Sequence, residues 1–285
     1  MRTIADHSAR FMRQSGAHQP VSIAITSGKG GVGKTNVVGN LAVSLANLKK
    51  RVLVLDADFG LANVDVLFGL TPKYNLRDVL YGDMGLEDII VEGPAGVRVI
   101  PASSGVEQMA ALTLDQQTRL MRGLMELGAE TDYLLIDTAA GISANVVNFL
   151  LASGLVIVVT NPEPTSIVDA YLVIKILALR EPGKRVALLV NSVSGFDEAQ
   201  SVFQQIDSAS RRFLDKPLEL LGFIERDKNV LEAVRRQIPV ASLYPRSAAS
   251  QSIKAIASKL DRQCSAMKRP ENSGLAWHEL FAASV

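Results

Sequence analysis

Gly28-Lys29-Gly30-Gly31-Val32-Gly33-Lys34-Thr35 fills every position of the pattern G-x-x-x-x-G-K-[ST], directly after the β-branched run Val21 to Thr26 and before a helical pattern. That spacing suits the binding of a nucleotide triphosphate. Glycines let the backbone turn its N–H groups inward as an anion nest, and the following helix adds the positive end of its dipole beneath the phosphates. Lys34 then reaches the β- and γ-phosphates. Thr35, followed by Asn36 in the first helical turn, carries the hydroxyl that such loops offer to Mg²⁺.

Two acidic segments follow apolar runs and belong at the same end of a sheet: Asp56-Ala57-Asp58 and Asp137-Thr138-Ala139-Ala140-Gly141. Carboxylates there suit Mg²⁺, which keeps several waters and takes few direct protein ligands. Asp137 fits the Walker B role of holding a Mg²⁺ water, and Thr138 to Gly141 form a short segment able to sense the γ-phosphate. Asp58 fits a different task, orienting or deprotonating the attacking water, and it counts with Thr35 and Asp137 among the metal-site candidates. Turn or helix capping is the other role open to Asp56 and Asp58. Lys29 is not needed to hold phosphate. A second cation there either offsets transition-state charge, in its own site or in a partner's, or is a solvated loop lysine.

The elements that must position these groups alternate along the chain. Apolar strand runs fall at Val21 to Thr26, Arg51 to Leu55, Val97 to Ile100, Tyr133 to Ile136, Val156 to Thr160, Arg185 to Val190 and Leu218 to Ile224. Several are apolar at successive positions, as buried parallel strands are. Helical stripes lie between them, at Val37, Leu41, Leu45 and Leu48 and at Ile167, Tyr171, Ile174 and Leu177. The expected architecture is a single α/β domain with a doubly wound, mostly parallel sheet and helices on both faces. Ligands of such sheets sit beyond the carboxyl ends of the strands, where the motifs fall. The expected domain spans residues 21–264, ending in a helix from Ser247 to Cys264, between an extension at 1–20 and a tail at 265–285.

A net charge of +1 gives no global drive toward nucleic acid or anionic lipid. Cys264 is the single cysteine, so neither an internal disulfide nor an iron–sulfur cluster or zinc ribbon within one chain is possible. Met1 to Pro20 has no apolar segment of the kind a signal peptide carries, which predicts a cytoplasmic protein. His7, His18 and His278 are scattered and receive no chemistry.

The phosphate loop with its early lysine resembles the deviant Walker A motif of the MinD/ParA ATPases. In that family the early lysine reaches across a dimer closed around two ATP molecules, which implies that Lys29 acts in trans. Asp56-Ala57-Asp58-Phe59-Gly60-Leu61-Ala62-Asn63-Val64-Asp65, then Asn75 to Leu80, Gly96 to Gly105, Asp137 to Ile142 and Glu163 to Ala170, are similar to the flagellar-number regulators FlhG and FleN. The resemblance runs from about Val21 to about Cys264. It implies a slow Mg²⁺-dependent ATPase that dimerises with ATP. It further implies work with an FlhF-type polar GTPase, a flagellar transcription activator and switch-complex (C-ring) proteins, and ATP-dependent association with the inner membrane at the cell pole. Ser166 and Asp169 are read as helix-capping and first-turn residues.

Family members place an asparagine against adenine, and Asn191 follows a strand here. A side-chain amide suits an adenine edge, but Asn191 also suits a turn before Ser192. The family's G-x-I-P-x-D segment beside the base reads Gly222-Phe223-Ile224-Glu225-Arg226-Asp227, which puts Ile224 near the base with glutamate in place of proline.

Asp6 to Met12 are similar to a degraded form of the D-Q-A-x-x-L-R segment with which this subgroup stimulates its GTPase partner. At the other end Trp277, Leu280, Phe281 and Ser284 recur at helical spacing, as a short membrane-seeking helix does. A partitioning or division-site ATPase that binds DNA or membrane is the alternative. Its DNA-binding form would use the basic pairs Arg211-Arg212 and Arg235-Arg236 to line a groove in a dimer, although DNA is the less favoured partner.

Overall fold

Val21–Thr26 (β1) and Val52–Ala57 (β2) are buried along almost their whole length, and the side chains of each divide between two cores on opposite faces of one sheet. In β2, Leu53 and Leu55 enter one core and Val52 and Val54 the other, which is the period-two consequence of a strand covered on both sides. The computed structural model describes residues 19–58, 63–102 and 112–266.

The remaining strands are Val91–Glu92 (β3), Arg98–Ile100 (β4), Tyr133–Thr138 (β5), Leu155–Thr160 (β6), Val186–Val193 (β7) and Glu219–Glu225 (β8). They form one eight-stranded sheet in the order β3-β4-β2-β5-β1-β6-β7-β8. Every neighbouring pair is parallel except β3 with β4. The seven expected strands are present, and β3 is an addition. Two residues of Val91 and Glu92 leave no periodicity to detect.

The described helices are Lys34–Asn47 (α1), Val64–Leu67 (α2), Leu76–Tyr81 (α3), Leu114–Ala129 (α4), Ala144–Ala152 (α5), Pro164–Arg180 (α6), Phe196–Leu214 (α7), Lys228–Arg235 (α8), Val240–Leu243 (α9) and Ala248–Ala266 (α10). Helices α1 and α10 supply residues to one core, among them Val38, Leu41, Ile256 and Leu260. Helices α4 to α7 supply the other, among them Leu124, Phe149, Leu177 and Ile206. The fold is thus doubly wound.

Helix α6 buries Ala170, Val173, Ile174 and Leu177, while the expected Ile167 and Tyr171 are only half-buried. Because β7 and β8 are parallel and joined by α7, α7 must run back across the sheet. Its last turn, with Arg211 and Arg212, therefore lies at the end opposite to the phosphate loop.

Candidate functional site

The phosphate loop leaves the carboxyl end of β1, in the middle of the sheet between β5 and β6. Ser27 closes its first turn by donating from Oγ to the Lys29 carbonyl at 2.9 Å. A Cβ on Gly28 would collide with the Asp169 carbonyl of α6, so only glycine permits this approach of loop and helix. Gly33 has φ +89°, the left-handed conformation that turns the chain into α1.

Lys34, at the start of α1, is buried, and its Nζ donates to Asp137 Oδ1 at 2.6 Å. Asp137 stands at the end of β5. Burial holds its carboxyl above the usual range, while the charge and hydrogen bond of Lys34 and the Thr35 hydroxyl pull it back down. The structure therefore brings Lys34, Thr35 and Asp137 together. Thr138 donates from Oγ1 to the Ile25 carbonyl at 3.1 Å, and the Gly141 N–H donates to the Ser27 carbonyl at 2.8 Å, so the segment after β5 is tied to the phosphate loop.

Asp56 is the cross-strand neighbour of Asp137. Its Oδ1 accepts from the Asp58 N–H at 3.1 Å, and its Oδ2 accepts from the N–H groups of Asn63 and Val64 at 3.1 and 3.2 Å. Burial, then the charge of Asp137, push its carboxyl up to about 7 against those three donors. Of the two roles open to Asp56, the structure assigns turn and helix capping. Asp58 is half-buried, close enough to Asp137 for the two charges to interact.

Lys29 lies at the exposed mouth of the loop. Its Nζ donates to Glu163 Oε2 at 2.7 Å and to Thr165 Oγ1 at 3.1 Å, both at the start of α6. That bond holds the Glu163 carboxyl below its usual range. No sequence pattern pairs these residues, which are 134 positions apart. Ser166 shares its hydroxyl with Thr160 Oγ1 at 3.0 Å and accepts from the Asn161 N–H at 3.3 Å, closing the turn from β6 into α6.

Asn191 on β7 and Ile224 on β8 are register partners at the loop end of the sheet. The Asn191 Nδ2 donates to the Val32 carbonyl at 2.7 Å, so its amide meets the phosphate loop. Ile224 is buried. Asn36 offers its carbonyl to Asn40 Nδ2 at 2.8 Å, and Asn40 Oδ1 accepts from the Ala241 N–H at 2.9 Å. Asp227 caps α8 through the Asn229 N–H at 2.9 Å and also accepts from the Ala249 N–H of α10 at 3.2 Å.

Among the described residues no three His, Cys, Asp or Glu side chains cluster as a metal cage. A site of one hydroxyl, Thr35, beside Asp137 and the nearby Asp58, fits an ion that takes its other ligands from phosphate and water. Arg211 pairs with Asp207 at the far end of the sheet, and Arg236 pairs with Glu232 at the loop end. No helix among the described residues is long and apolar enough to cross a membrane. Asp6 to Met12, Phe59 to Ala62 and the stripe from Trp277 to Ser284 lie outside the described residues.

A family model described as an AAA domain matches residues 21–182. The structure of the septum site-determining protein MinD from Pyrococcus horikoshii, complexed with Mg-ADP, superposes with a TM-score of 0.68 at 27% identity, covering 88% of this chain and 98% of that one. The antiactivator FleN of Pseudomonas aeruginosa is 46% identical over 251 residues, which is 88% of this chain and 90% of the relative. The chain belongs to the MinD/ParA family. Within it, the FlhG/FleN branch is the match. The flagellum site-determining protein YlxH of Helicobacter pylori, 39% identical over 84% of this chain and 81% of its own length, falls in the same branch. As a MinD/ParA member the protein is a P-loop ATPase that takes a nucleotide with Mg²⁺.

Proposed function

We propose that this chain is an ATP-driven dimerisation switch that regulates the number or placement of flagella. The observation that carries the reading is Lys29. A lysine at the exposed mouth of the loop, held only by partly exposed partners on its own subunit, is able to exchange Glu163 for the phosphates of a second copy.

The residues divide the work as follows. The N–H groups of Gly28 to Gly33 and the Lys34 ammonium bind the triphosphate, with Thr35 and Asn36 behind them in α1. With Lys34 engaged by the phosphates, Thr35 and Asp137 would hold the Mg²⁺, Asp137 through a water. Mg²⁺ supplies charge neutralisation at the phosphate oxygens. Asp58 orients the attacking water and takes its proton. The partner copy's loop lysine, the equivalent of Lys29, offsets transition-state charge. Slow turnover, set by partners, suits a switch whose output is the lifetime of its dimer.

Similarity to FleN and YlxH supports a flagellar role. An FlhF-type GTPase, a flagellar transcription activator and C-ring proteins are the partners proposed. In this reading the terminal segments at 1–20 and 265–285 contact the GTPase and the membrane at the pole. The test is sedimentation velocity of Asp58→Asn protein, which holds ATP without turning it over. A dimer with ATP and a monomer with ADP is expected, and a monomer in both overturns the switch.

A further inference from the structure

We infer that Asn191 is a positioning residue for the phosphate loop, which it locks in the phosphate-binding orientation from outside. The inference rests on the reading of the loop as the nucleotide site. It goes beyond a contact with the base.

The physical argument concerns one peptide unit. In a trans peptide the carbonyl and the N–H of the next residue point in opposite directions. The Val32 carbonyl accepts from Asn191 Nδ2 at 2.7 Å, so the Gly33 N–H is turned the other way, toward the concave side of the loop. That N–H is one of the donors from which an anion nest is made. The unit turns about ψ of Val32 and φ of Gly33, and Gly33, at φ +89°, accepts either hand of φ at little cost. A flipped unit would aim the Val32 carbonyl at the phosphates and withdraw the donor.

The fit around the amide is close. A Cβ on Gly33 would stand 2.5 Å from Asn191 Nδ2, so a side chain at position 33 and the amide in its present place exclude each other. Asn191 sits on β7, in register with Ile224 of β8. The residue thus fixes the loop to the two strands that flank the expected base position, and base site and phosphate site share one anchor.

Inorganic tripolyphosphate separates the two roles because it has the phosphates and no base. Its affinity, and that of ATP, would be measured with Mg²⁺ by displacement of a fluorescent ATP analogue, in unaltered protein and in Asn191→Ala of equal melting temperature. Loss of one positioning hydrogen bond predicts weakening of both ligands by roughly three- to tenfold. Weakening of ATP with unchanged tripolyphosphate would reduce Asn191 to a base contact, and no change in either would remove it from the site.

Amide hydrogen exchange over residues 28–35 of nucleotide-free protein provides the second readout. Asn191→Ala and Asn191→Asp, which keeps the shape without the donor, are both expected to exchange faster there. Exchange as slow as in the unaltered protein overturns the inference, even if the variants prove less stable overall. Failure of the unaltered protein to bind either phosphate compound would instead overturn the nucleotide reading itself.

Discussion

Lys29 Nζ stands 2.7 Å from Glu163 Oε2, at the junction of the phosphate loop with α6. The pair is within one subunit, yet Lys29 is the residue that the dimer reading sends to another. Glu163 is therefore a competitor of the second copy's phosphates. Both side chains are partly exposed, at 40% and 56%, so the competition is weak in water. Glu163→Gln is expected to raise the ATP-dependent dimer population by a few-fold, and Lys29→Ala to abolish it. Sedimentation equilibrium with Asp58→Asn in the background measures both. A dimer weakened by Glu163→Gln would show that the glutamate supports the closed form instead of opposing it.

Lys34 and Asp137 form the contrasting pair, nearly removed from water and 2.6 Å apart. Removing one partner of a buried ion pair leaves the other uncompensated, at ~3–5 kcal/mol. Lys34→Met is accordingly expected to lose triphosphate binding and also to be less stable without nucleotide. The double variant Lys34→Met, Asp137→Leu should recover much of that stability, because it replaces the pair by apolar groups. Urea unfolding of the three proteins decides the point. Equal midpoints would mean that Asp137 is solvated or protonated in the nucleotide-free protein.

Two glycines of the loop make a steric prediction. A Cβ on Gly28 collides with the Asp169 backbone, while one on Gly30 meets nothing within 4 Å. Forcing a methyl into a packed junction costs ~1–3 kcal/mol or moves the backbone. Gly28→Ala should lose stability and ATP affinity together, whereas Gly30→Ala should keep the stability of the unaltered protein. Equal losses in the two would place the requirement for glycine in backbone freedom and not in contact with α6.

What could be read from the sequence was whatever is local. Gly28 to Thr35 is a contiguous pattern, and β2 and β6 declare themselves as unbroken apolar runs because both their faces are covered. Asp137 was legible by its place after such a run. The contacts that organise the site were not, because they join distant segments. Lys29 to Glu163 spans 134 positions and Asn191 to Val32 spans 159. Asp56 and Asp58 illustrate a different limit. Both are aspartates beyond the same strand, and only the folded turn, with three N–H groups aimed at Asp56, separates a capping residue from a candidate for chemistry. In α6 the stripe was legible at Ile174 and Leu177, which are buried, but not at the neighbouring Ala170, which is buried where Tyr171 is only half-buried.

That separation yields a prediction in which the two aspartates fail in different ways. Asp56→Ala removes the acceptor for the N–H groups of Asp58, Asn63 and Val64, so the turn after β2 and the start of α2 lose their cap. A lost cap costs ~1 kcal/mol, and the buried N–H groups left behind add to it. The variant should unfold at lower urea and exchange faster over residues 56–58 and 63–67. Asp58→Asn keeps that turn, because Asp58 serves it through its backbone N–H. It should unfold like the unaltered protein and bind ATP as tightly. Loss of a positioned base, however, should lower the rate of phosphate release by about 10²–10⁴-fold. Paired measurements of urea midpoint and phosphate release discriminate the roles. Should Asp56→Ala stop hydrolysis without loss of stability, while Asp58→Asn hydrolyses normally, the assignments of the two residues would have to be exchanged.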